Sequence, residues 1–263
     1  MSNVPDARIQ AFEKLWPGGY YEGDPLDPMG HSNYNVMGYM SVLHAVYLAC
    51  IKPYIGPSTN AIEVGAGKGA WSRAILSRNP AGLDCLEAVP AEHSGFWDYV
   101  GNREDVRYHQ VKDFSVSELE DQSYNYLFSF GCFCHVPREG IEEYLKNLHR
   151  KLVPGSHGFI MIGDFEKYNR AIRWLRKFES VRACHGRRYA PVRLLWRFFN
   201  RINRADNITT KDESSEKSDE ESVSWRNLSI SDACEILERN GYRVVDPDME
   251  LLHRDPIIHF LRA

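Results

Sequence analysis

The chain has 263 residues, 43% of them hydrophobic, and a formal net charge of −4 at pH 7. This length and apolar content fit one globular domain with additions, and the net acidity argues against a nucleic-acid-binding surface. Six cysteines without paired spacing favour a reducing, cytoplasmic compartment. No signal peptide is expected, and the longest apolar stretch, residues 40–51, is too short to cross a bilayer.

The first 57 residues are predicted to form a cover of helices and loops that precedes a sheet. Helices are expected over residues 6–15 and 35–54, and the loop between them is rich in aromatic residues, glycine and acids. Loops of this kind commonly bind substrates, and aromatic faces with short carboxylates suit a carbohydrate. Plain packing explains the same residues equally well. The candidate substrate-binding residues are Tyr20, Tyr21, Asp24, His31 and Tyr34.

Residues 61–71, AIEVGAGKGAW, predict a buried strand, a glycine-rich turn and the start of a helix. Glycines allow a tight bend and a close approach to a ligand, and the helix start directs free N–H groups there, so a nucleotide-like ligand should lie over this turn. The spacing matches neither the dinucleotide fingerprint nor the phosphate-binding loop. Glu63 would repel a pyrophosphate but suits an ammonium or a sulfonium group.

Two further predicted strands are followed by acidic residues. The strand at 82–88 carries Glu87, where an α/β sheet commonly places the acceptor of both ribose hydroxyls. The strand at 106–111 is followed by Asp113 and Phe114. Capping of a following helix is the alternative role for Glu87, and a capping role for Asp113 over residues 115–119 is compatible with ligand binding.

The predicted fourth strand, residues 124–131, is apolar on both faces, as a central parallel strand should be. His135 follows it, and a helix is expected from Pro137 to about Lys151. The fifth strand, 157–163, ends at Asp164. Strands alternate with helices from residue 60 to 164, which predicts a doubly wound parallel sheet with its ligands at the carboxyl ends of the strands. Cys132, Cys134 and His135 lack a fourth zinc ligand, so we predict no metal site.

Residues 165–226 are predicted to be a helical insertion. Residues 167–204 contain 12 Lys or Arg and one acid, with Trp and Phe interleaved. Such a segment is typical of a membrane-surface helix or of a cover over an anionic ligand, and packing with a solvated basic face is the alternative. Tyr168 is a candidate substrate contact. Residues 209–224 have no apolar side chain before Val223, which predicts a disordered acidic loop.

The E-x-G-x-G-x-G pattern of residues 63–69, with the acids that follow the next two strands, resembles the class I S-adenosylmethionine-dependent methyltransferases. The serine-capped helix after Ser229 and the two closing strands resemble the family's C-terminal hairpin. The resemblance implies a mostly parallel seven-stranded Rossmann-like sheet with an antiparallel C-terminal strand, formed by residues 58–164 and 227–263. It implies that S-adenosylmethionine contacts Glu63, Gly65, Ala66, Gly67, Gly69, Trp71, Glu87, Ala88, Asp113, Phe114, Phe130 and Gly131.

Residues 128–136 resemble the strand-four region of sugar O-methyltransferases, which implies a hydroxyl acceptor on a sugar or glycan. His135 is the candidate general base, and packing beneath the following helix is its alternative role. Asp164 is a candidate second base, orienting group or metal ligand. The motif [DN]-P-P-[YF] of amide-methylating enzymes is absent after strand four.

The basic insertion favours an acceptor that is anionic or lipid-linked, or peripheral contact of residues 167–204 with a membrane surface. Three other functions stay open: methylation of another small-molecule hydroxyl, methylation of nucleic acid, and cofactor binding without catalysis. A different transferase on the same fold, such as an aminopropyltransferase, lacks support because no acidic cluster follows strand four. The sequence does not define the oligomeric state.

Overall fold

The computed structural model describes residues 6–15, 23–29, 35–36, 40–184 and 225–263. The strands are β1 (Asn35–Val36), β2 (Met40–Ser41), β3 (Asn60–Val64), β4 (Gly82–Glu87), β5 (Val106–Gln110), β6 (Tyr124–Ser129), β7 (Leu152–Met161), β8 (Tyr242–Asp246) and β9 (Ile257–Arg262). The α-helices are α1 (Ala7–Leu15), α2 (Val42–Val46), α3 (Ala70–Leu76), α4 (Ala91–Ser94), α5 (Phe96–Val100), α6 (Arg138–Lys151), α7 (Phe165–Cys184) and α8 (Ile230–Arg239). A π-helical turn, Tyr47–Ile51, follows α2, and a 3₁₀ turn, Phe133–His135, follows β6.

Seven strands form one sheet in the order β5-β4-β3-β6-β7-β9-β8. The pairs from β5 to β7 are parallel, and β9 runs antiparallel to both of its neighbours. The chain proceeds outwards from β3 in one direction through β4 and β5, and in the other through β6 and β7. This arrangement confirms the predicted doubly wound sheet with an antiparallel last strand, and it puts the topological switch point between β3 and β6, where ligands bind in such sheets.

The central strands of the sheet are buried on both faces. Alternate side chains along a strand point to opposite faces, and the buried side chains of β6 accordingly divide between two apolar layers. Tyr126 and Phe128 lie in the layer that contains α3, whereas Leu127 lies in the layer that contains α6. Burial on both faces explains why β6 reads as a continuous apolar run in the sequence.

Two elements begin elsewhere than predicted. The helix expected over residues 35–54 begins at Val42, because residues 35–41 contain the short antiparallel pair β1–β2 and Ser41 has an extended backbone. The fifth strand was expected at 157–163, but β7 begins at Leu152, directly after α6. Pro154 and Gly155 lie within β7, where proline and glycine commonly mark an irregular strand. The pairing of β7 with β6 accordingly shifts in register at this point.

The chain forms a tight turn after Asp113 in place of the short helix expected over residues 115–119, and the carboxylate of Asp113 stabilises this turn. Asp113 Oδ1 accepts a hydrogen bond from the Ser115 N–H at 2.8 Å, and Val116 has a positive φ of 46°, which does not continue a helix. Helix α7 begins the predicted insertion, while residues 185–224, which include the predicted acidic loop, lie outside the described residues. The proposed boundaries of the domain and the insertion stay a prediction.

Candidate functional site

A pocket lies at the carboxyl ends of β3, β4 and β6. Helix α1 covers one side of it, and the segment before α8 closes another. The residues that line it are Arg8, Ile9, Phe12, Val64, Gly65, Ala66, Gly67, Lys68, Ala70, Trp71, Leu86, Glu87, Ala88, Val111, Phe114, Phe130, Gly131, Cys132, His135, Val136, Pro137, Tyr144 and Arg226.

The glycine turn and Glu87 form one hydrogen-bonded unit. The Gly67 N–H donates to Glu87 Oε2 at 2.7 Å, and the Ala88 N–H donates to Oε1 at 2.7 Å. Burial raises the pKa of Glu87, and these backbone N–H groups oppose the rise. The two bonds hold the carboxylate in a fixed orientation at the pocket wall, with further lone pairs to accept hydrogen bonds from a ligand.

The glycine turn also contacts the loop that follows β6. Gly65 has a φ of +82°, and a Cβ added there would lie 2.3 Å from Cys132 Cβ. Gly69, the N-cap of α3, has a φ of +98°, and a Cβ there would lie 2.3 Å from Val100 Cγ2. Glycine is therefore required at both positions for conformation and for space.

Glu63 lies behind the turn and is not among the residues that line the pocket. It is 1% exposed, and its Oε2 accepts a hydrogen bond from Ser72 Oγ at 2.5 Å, at the first turn of α3. Burial raises the pKa of Glu63 to about 8, and the nearby charge of Glu87 adds to the rise. The carboxyl group therefore joins β3 to α3, and the contact with the cofactor predicted for Glu63 stays a prediction.

Aromatic side chains form much of the pocket wall. Trp71 packs on Phe130 with ring centroids 4.6 Å apart, and Phe114 packs on Tyr144 at 4.9 Å. Of the predicted pair Asp113 and Phe114, only Phe114 lines the pocket. The wall thus offers flat apolar surfaces of the kind that suit a purine ring.

His135 and Asp164, the two candidate catalytic residues, lie in different environments. His135 lines the pocket. Its backbone N–H donates to the Cys132 carbonyl at 2.9 Å, and the centroid of its imidazole ring is 6.1 Å from that of the Phe12 ring. Asp164 is 5% exposed and accepts from the backbone N–H groups of Glu166 and Lys167 at the start of α7. Its other oxygen accepts from the N–H of Ile230 at 3.1 Å. The structure therefore gives Asp164 a capping role outside the pocket lining.

The predicted substrate-binding residues are not brought together among the described residues. Tyr20, Tyr21, His31 and Tyr34 lie outside the described residues. Asp24 accepts a hydrogen bond from the Leu26 N–H in a local turn, and Tyr168 packs edge-on against Trp225 with centroids 5.5 Å apart. Neither of these two side chains lines the pocket.

Helix α1 contributes to the pocket, which the sequence did not predict. The Asp6 N–H donates to the Lys112 carbonyl at 2.7 Å, which fixes the start of the helix beside the end of β5. Arg8 is bound by both oxygens of Asp6, at 2.9 and 2.6 Å, and its guanidinium lies 4.6 Å from the centre of the Phe114 ring. The helix itself was predicted, but no pattern in the sequence indicates where it docks.

Arg226 was also missed, since it lies at the end of the predicted insertion. Its backbone N–H donates to the Cys134 carbonyl at 2.7 Å, and it is one of the residues that line the pocket. In the described ranges, no three His, Cys, Asp or Glu side chains come together in a way that could hold a metal ion. Within the same ranges, no helix is both long and apolar enough to cross a membrane.

Comparisons with known proteins give a family and a fold. A family model described as a methyltransferase domain matches residues 40–202. A solved S-adenosylmethionine-dependent methyltransferase from Mesorhizobium loti is 13% identical, with 84% of this chain and 98% of that chain covered and a TM-score of 0.53. Mitomycin 7-O-methyltransferase is 16% identical, with 86% and 55% covered and a TM-score of 0.50.

The 1,6-didemethyltoxoflavin-N1-methyltransferase of Burkholderia thailandensis, solved with S-adenosylhomocysteine, is 14% identical, with 78% and 72% covered and a TM-score of 0.49. No curated protein matches the chain. At these identities, the likeness to the Mesorhizobium loti enzyme and to mitomycin 7-O-methyltransferase establishes the fold alone.

Proposed function

The chain belongs to the class I S-adenosylmethionine-dependent methyltransferases, and from this premise we propose that it methylates a hydroxyl group of a sugar or glycan. The observation that carries the proposal is that His135 lines the same pocket as the glycine turn and Glu87. A group that can accept a proton thus lies in the pocket that would hold the methyl donor.

The pocket fits S-adenosylmethionine, the cofactor of this family. Glu87 presents a fixed carboxylate suited to the two ribose hydroxyls, and Phe114 with Val111 offers an apolar surface suited to adenine. Gly67, in the middle of the glycine turn, has a positive φ of 53° and carries no Cβ that could hinder a ligand. When bound, the cofactor supplies an electrophilic methyl group on a sulfonium.

The residues of the chain contribute mainly by positioning the acceptor and by accepting its proton. A sugar hydroxyl is weakly acidic, so transfer benefits from a base, which typically contributes about 10²–10⁴-fold. His135 is proposed as this base, because a neutral imidazole can accept a proton near pH 7. The ring of Phe12 beside it offers an aromatic face suited to stacking against a sugar.

The test is transfer of a labelled methyl group from S-adenosylmethionine to a fractionated glycan extract. A methyl ether on a hydroxyl resists mild base, whereas a methyl ester is released. We expect base-stable label, and we expect His135→Gln to reduce turnover at least tenfold with unchanged cofactor affinity. His93→Gln, a substitution at an exposed histidine of α4, is the matched control.

Two results would contradict this proposal. Base-labile label, or label on nitrogen, would exclude a hydroxyl acceptor. Equal turnover of the parent and His135→Gln would remove His135 as the base and leave positioning alone to account for catalysis.

A further inference from the structure

Arg226, a cationic residue, lines the same pocket as His135, and its backbone lies next to that residue. Its backbone N–H is bonded to the carbonyl of Cys134, the residue before His135. Two residues later, the Leu228 N–H donates to the Gly163 carbonyl at 2.7 Å. The segment 225–228 is therefore attached to the 3₁₀ turn that follows β6 and to the residues just after β7, and it holds Arg226 beside the proposed base.

Close packing fixes the position of this segment. A Cβ added to Gly163 would lie 2.6 Å from the Arg226 carbonyl oxygen and 2.6 Å from Trp225 Nε1, so the segment passes directly over this glycine. The Trp225 ring packs against Phe165, with centroids 5.2 Å apart, and against Tyr168. Arg226 therefore lies on a closely packed segment, which favours a defined role in recognition.

The charges of the pocket lining favour an anion. Three of its side chains, Arg8, Lys68 and Arg226, are cationic, and Glu87 is the one Asp or Glu among the described residues that line it. Glu87 is bonded to the glycine turn, and Arg8 is paired with Asp6. Lys68 Nζ lies 5.8 Å from the centre of the Tyr99 ring. Among these three cations, Arg226 is the one whose backbone is hydrogen-bonded to the residue before His135.

We propose that Arg226 binds a carboxylate or phosphate group of the acceptor, so that the substrate is an anionic hydroxyl compound such as a sugar acid or a sugar phosphate. A guanidinium presents a planar fork of donors that matches both anions. A pocket that excludes water makes such a pair more favourable for a matched anion than for a neutral sugar. This inference rests on the proposed function of the same site.

The experiment uses the full chain and small-molecule extract separated by anion exchange into a neutral and an anionic pool. Methyl-labelled S-adenosylmethionine is added, and base-stable label is counted in each pool. We expect label in the anionic pool, with at least a tenfold loss for Arg226→Gln and a smaller loss for Arg226→Lys, which keeps the charge without the fork. Phosphatase treatment of the anionic pool distinguishes phosphate from carboxylate acceptors.

Two controls separate recognition of the acceptor from folding. Arg103→Gln alters an exposed arginine that is paired with Asp105. Arg103 precedes β5, so it lies at the amino end of this strand, away from the pocket at the carboxyl ends, and the substitution should leave labelling unchanged. Calorimetry should give the same S-adenosylmethionine affinity for Arg226→Gln as for the parent. With the acceptor purified from the pool, the variant should raise KM more than it lowers kcat.

The remaining outcomes would contradict either the anionic acceptor alone or hydroxyl methylation as a whole. Base-stable label in the neutral pool, or equal labelling of the anionic pool by the parent and Arg226→Gln, overturns the anionic acceptor and leaves hydroxyl methylation intact. Base-labile label, or no label in either pool despite cofactor binding, overturns hydroxyl methylation itself and the inference that rests on it.

Discussion

At the scale of single residues, Glu87 is the residue for which the structure gives the strongest support to a proposed contact with the cofactor. Its two oxygens accept hydrogen bonds from the Gly67 and Ala88 N–H groups at 2.7 Å each, so the side chain is oriented before any ligand arrives. Preorganisation of this kind reduces the conformational cost of binding. The effect of changing this residue should therefore be large and confined to the cofactor.

We predict that Glu87→Gln weakens S-adenosylmethionine binding at least tenfold. The amide removes the negative charge. Its NH₂ group, which is a donor, would face one of the two backbone N–H groups that now donate to the carboxylate, so one hydrogen bond is lost. Hydrogen bonds to a charged group contribute about 1.5–3 kcal/mol each, and 1.4 kcal/mol corresponds to tenfold in affinity. Isothermal titration calorimetry measures the change directly.

Glu92→Gln is the matched control, because Glu92 is an exposed glutamate of α4. It should bind the cofactor as the parent does. If Glu87→Gln also binds as the parent does, Glu87 takes no part in the cofactor site.

At the scale of elements, α1 is the described part of the cover that reaches the pocket. Ile9 is 6% exposed and lines the pocket together with Arg8 and Phe12. Gln110 Nε2 donates to Glu13 Oε1 at 3.1 Å, which adds a contact between α1 and β5. The helix therefore covers the side of the pocket next to Phe114, where we propose that adenine binds.

We predict that Ile9→Asp displaces α1 and raises the Kd for S-adenosylmethionine by about tenfold. Burial of an isoleucine side chain contributes about 1.5–3 kcal/mol, and a carboxylate in its place would have to be desolvated. Calorimetry gives the affinity, and limited proteolysis should show faster cleavage within residues 6–15.

Gln10→Asp introduces the same carboxylate at the neighbouring position, which does not line the pocket, and should leave both measurements near the parent values. If Ile9→Asp is cleaved faster but binds the cofactor normally, α1 covers the pocket without contributing to affinity.

Local features of the elements could be predicted from the sequence, whereas contacts between distant elements could not. The glycine turn and the strand ending in Glu87 were predicted, because glycine spacing and an acid after an apolar strand are local patterns. Asp113 and Asp164 fit the same pattern, but in the structure both carboxylates accept hydrogen bonds from nearby backbone N–H groups. In the sequence, an aspartate that binds a ligand after a strand cannot be distinguished from one that accepts hydrogen bonds from nearby backbone N–H groups. Arg226 lies far along the chain from His135, so only the fold brings the two together.

At the scale of the whole molecule, a pair of histidines makes stability depend on pH. His157 Nδ1 and His259 Nε2 are 2.9 Å apart across β7 and β9, and His259 stacks on Phe159 with ring centroids 4.3 Å apart. Tyr54 packs on both histidines, while Arg243 and Asp246 act on His259 from β8. Burial and the neighbouring His157 lower the pKa of His259 to about 4, and burial lowers that of His157.

We predict that this pair destabilises the fold in mild acid. The pKa of His259 is about 4 in the folded chain and near 6.5 when unfolded, so its contribution to stability is complete above pH 6.5. That contribution is lost as the pH falls from 6.5 towards 4, because the unfolded chain takes up the proton first. At pH 5 the loss should be on the order of 1 kcal/mol after allowance for solvent screening. Urea unfolding at pH 7.5 and 5 measures it.

His259→Gln keeps a group that can bond to His157 but removes one titration, so its stability should change less between the two pH values. His253→Gln, at an exposed histidine, should follow the parent. An unchanged pH dependence in His259→Gln would assign the acid sensitivity to other groups.

The contact between Gly65 and Cys132 has a consequence for how this enzyme can diverge. Since a side chain at position 65 would collide with Cys132, the turn that we propose holds the donor and the loop that leads to His135 should not change independently during evolution. Mutational variation in acceptor choice should therefore accumulate in α1 and residues 225–228, which approach the pocket from outside this contact. A library that randomises those two segments should yield altered specificity more often than one that randomises residues 131–134.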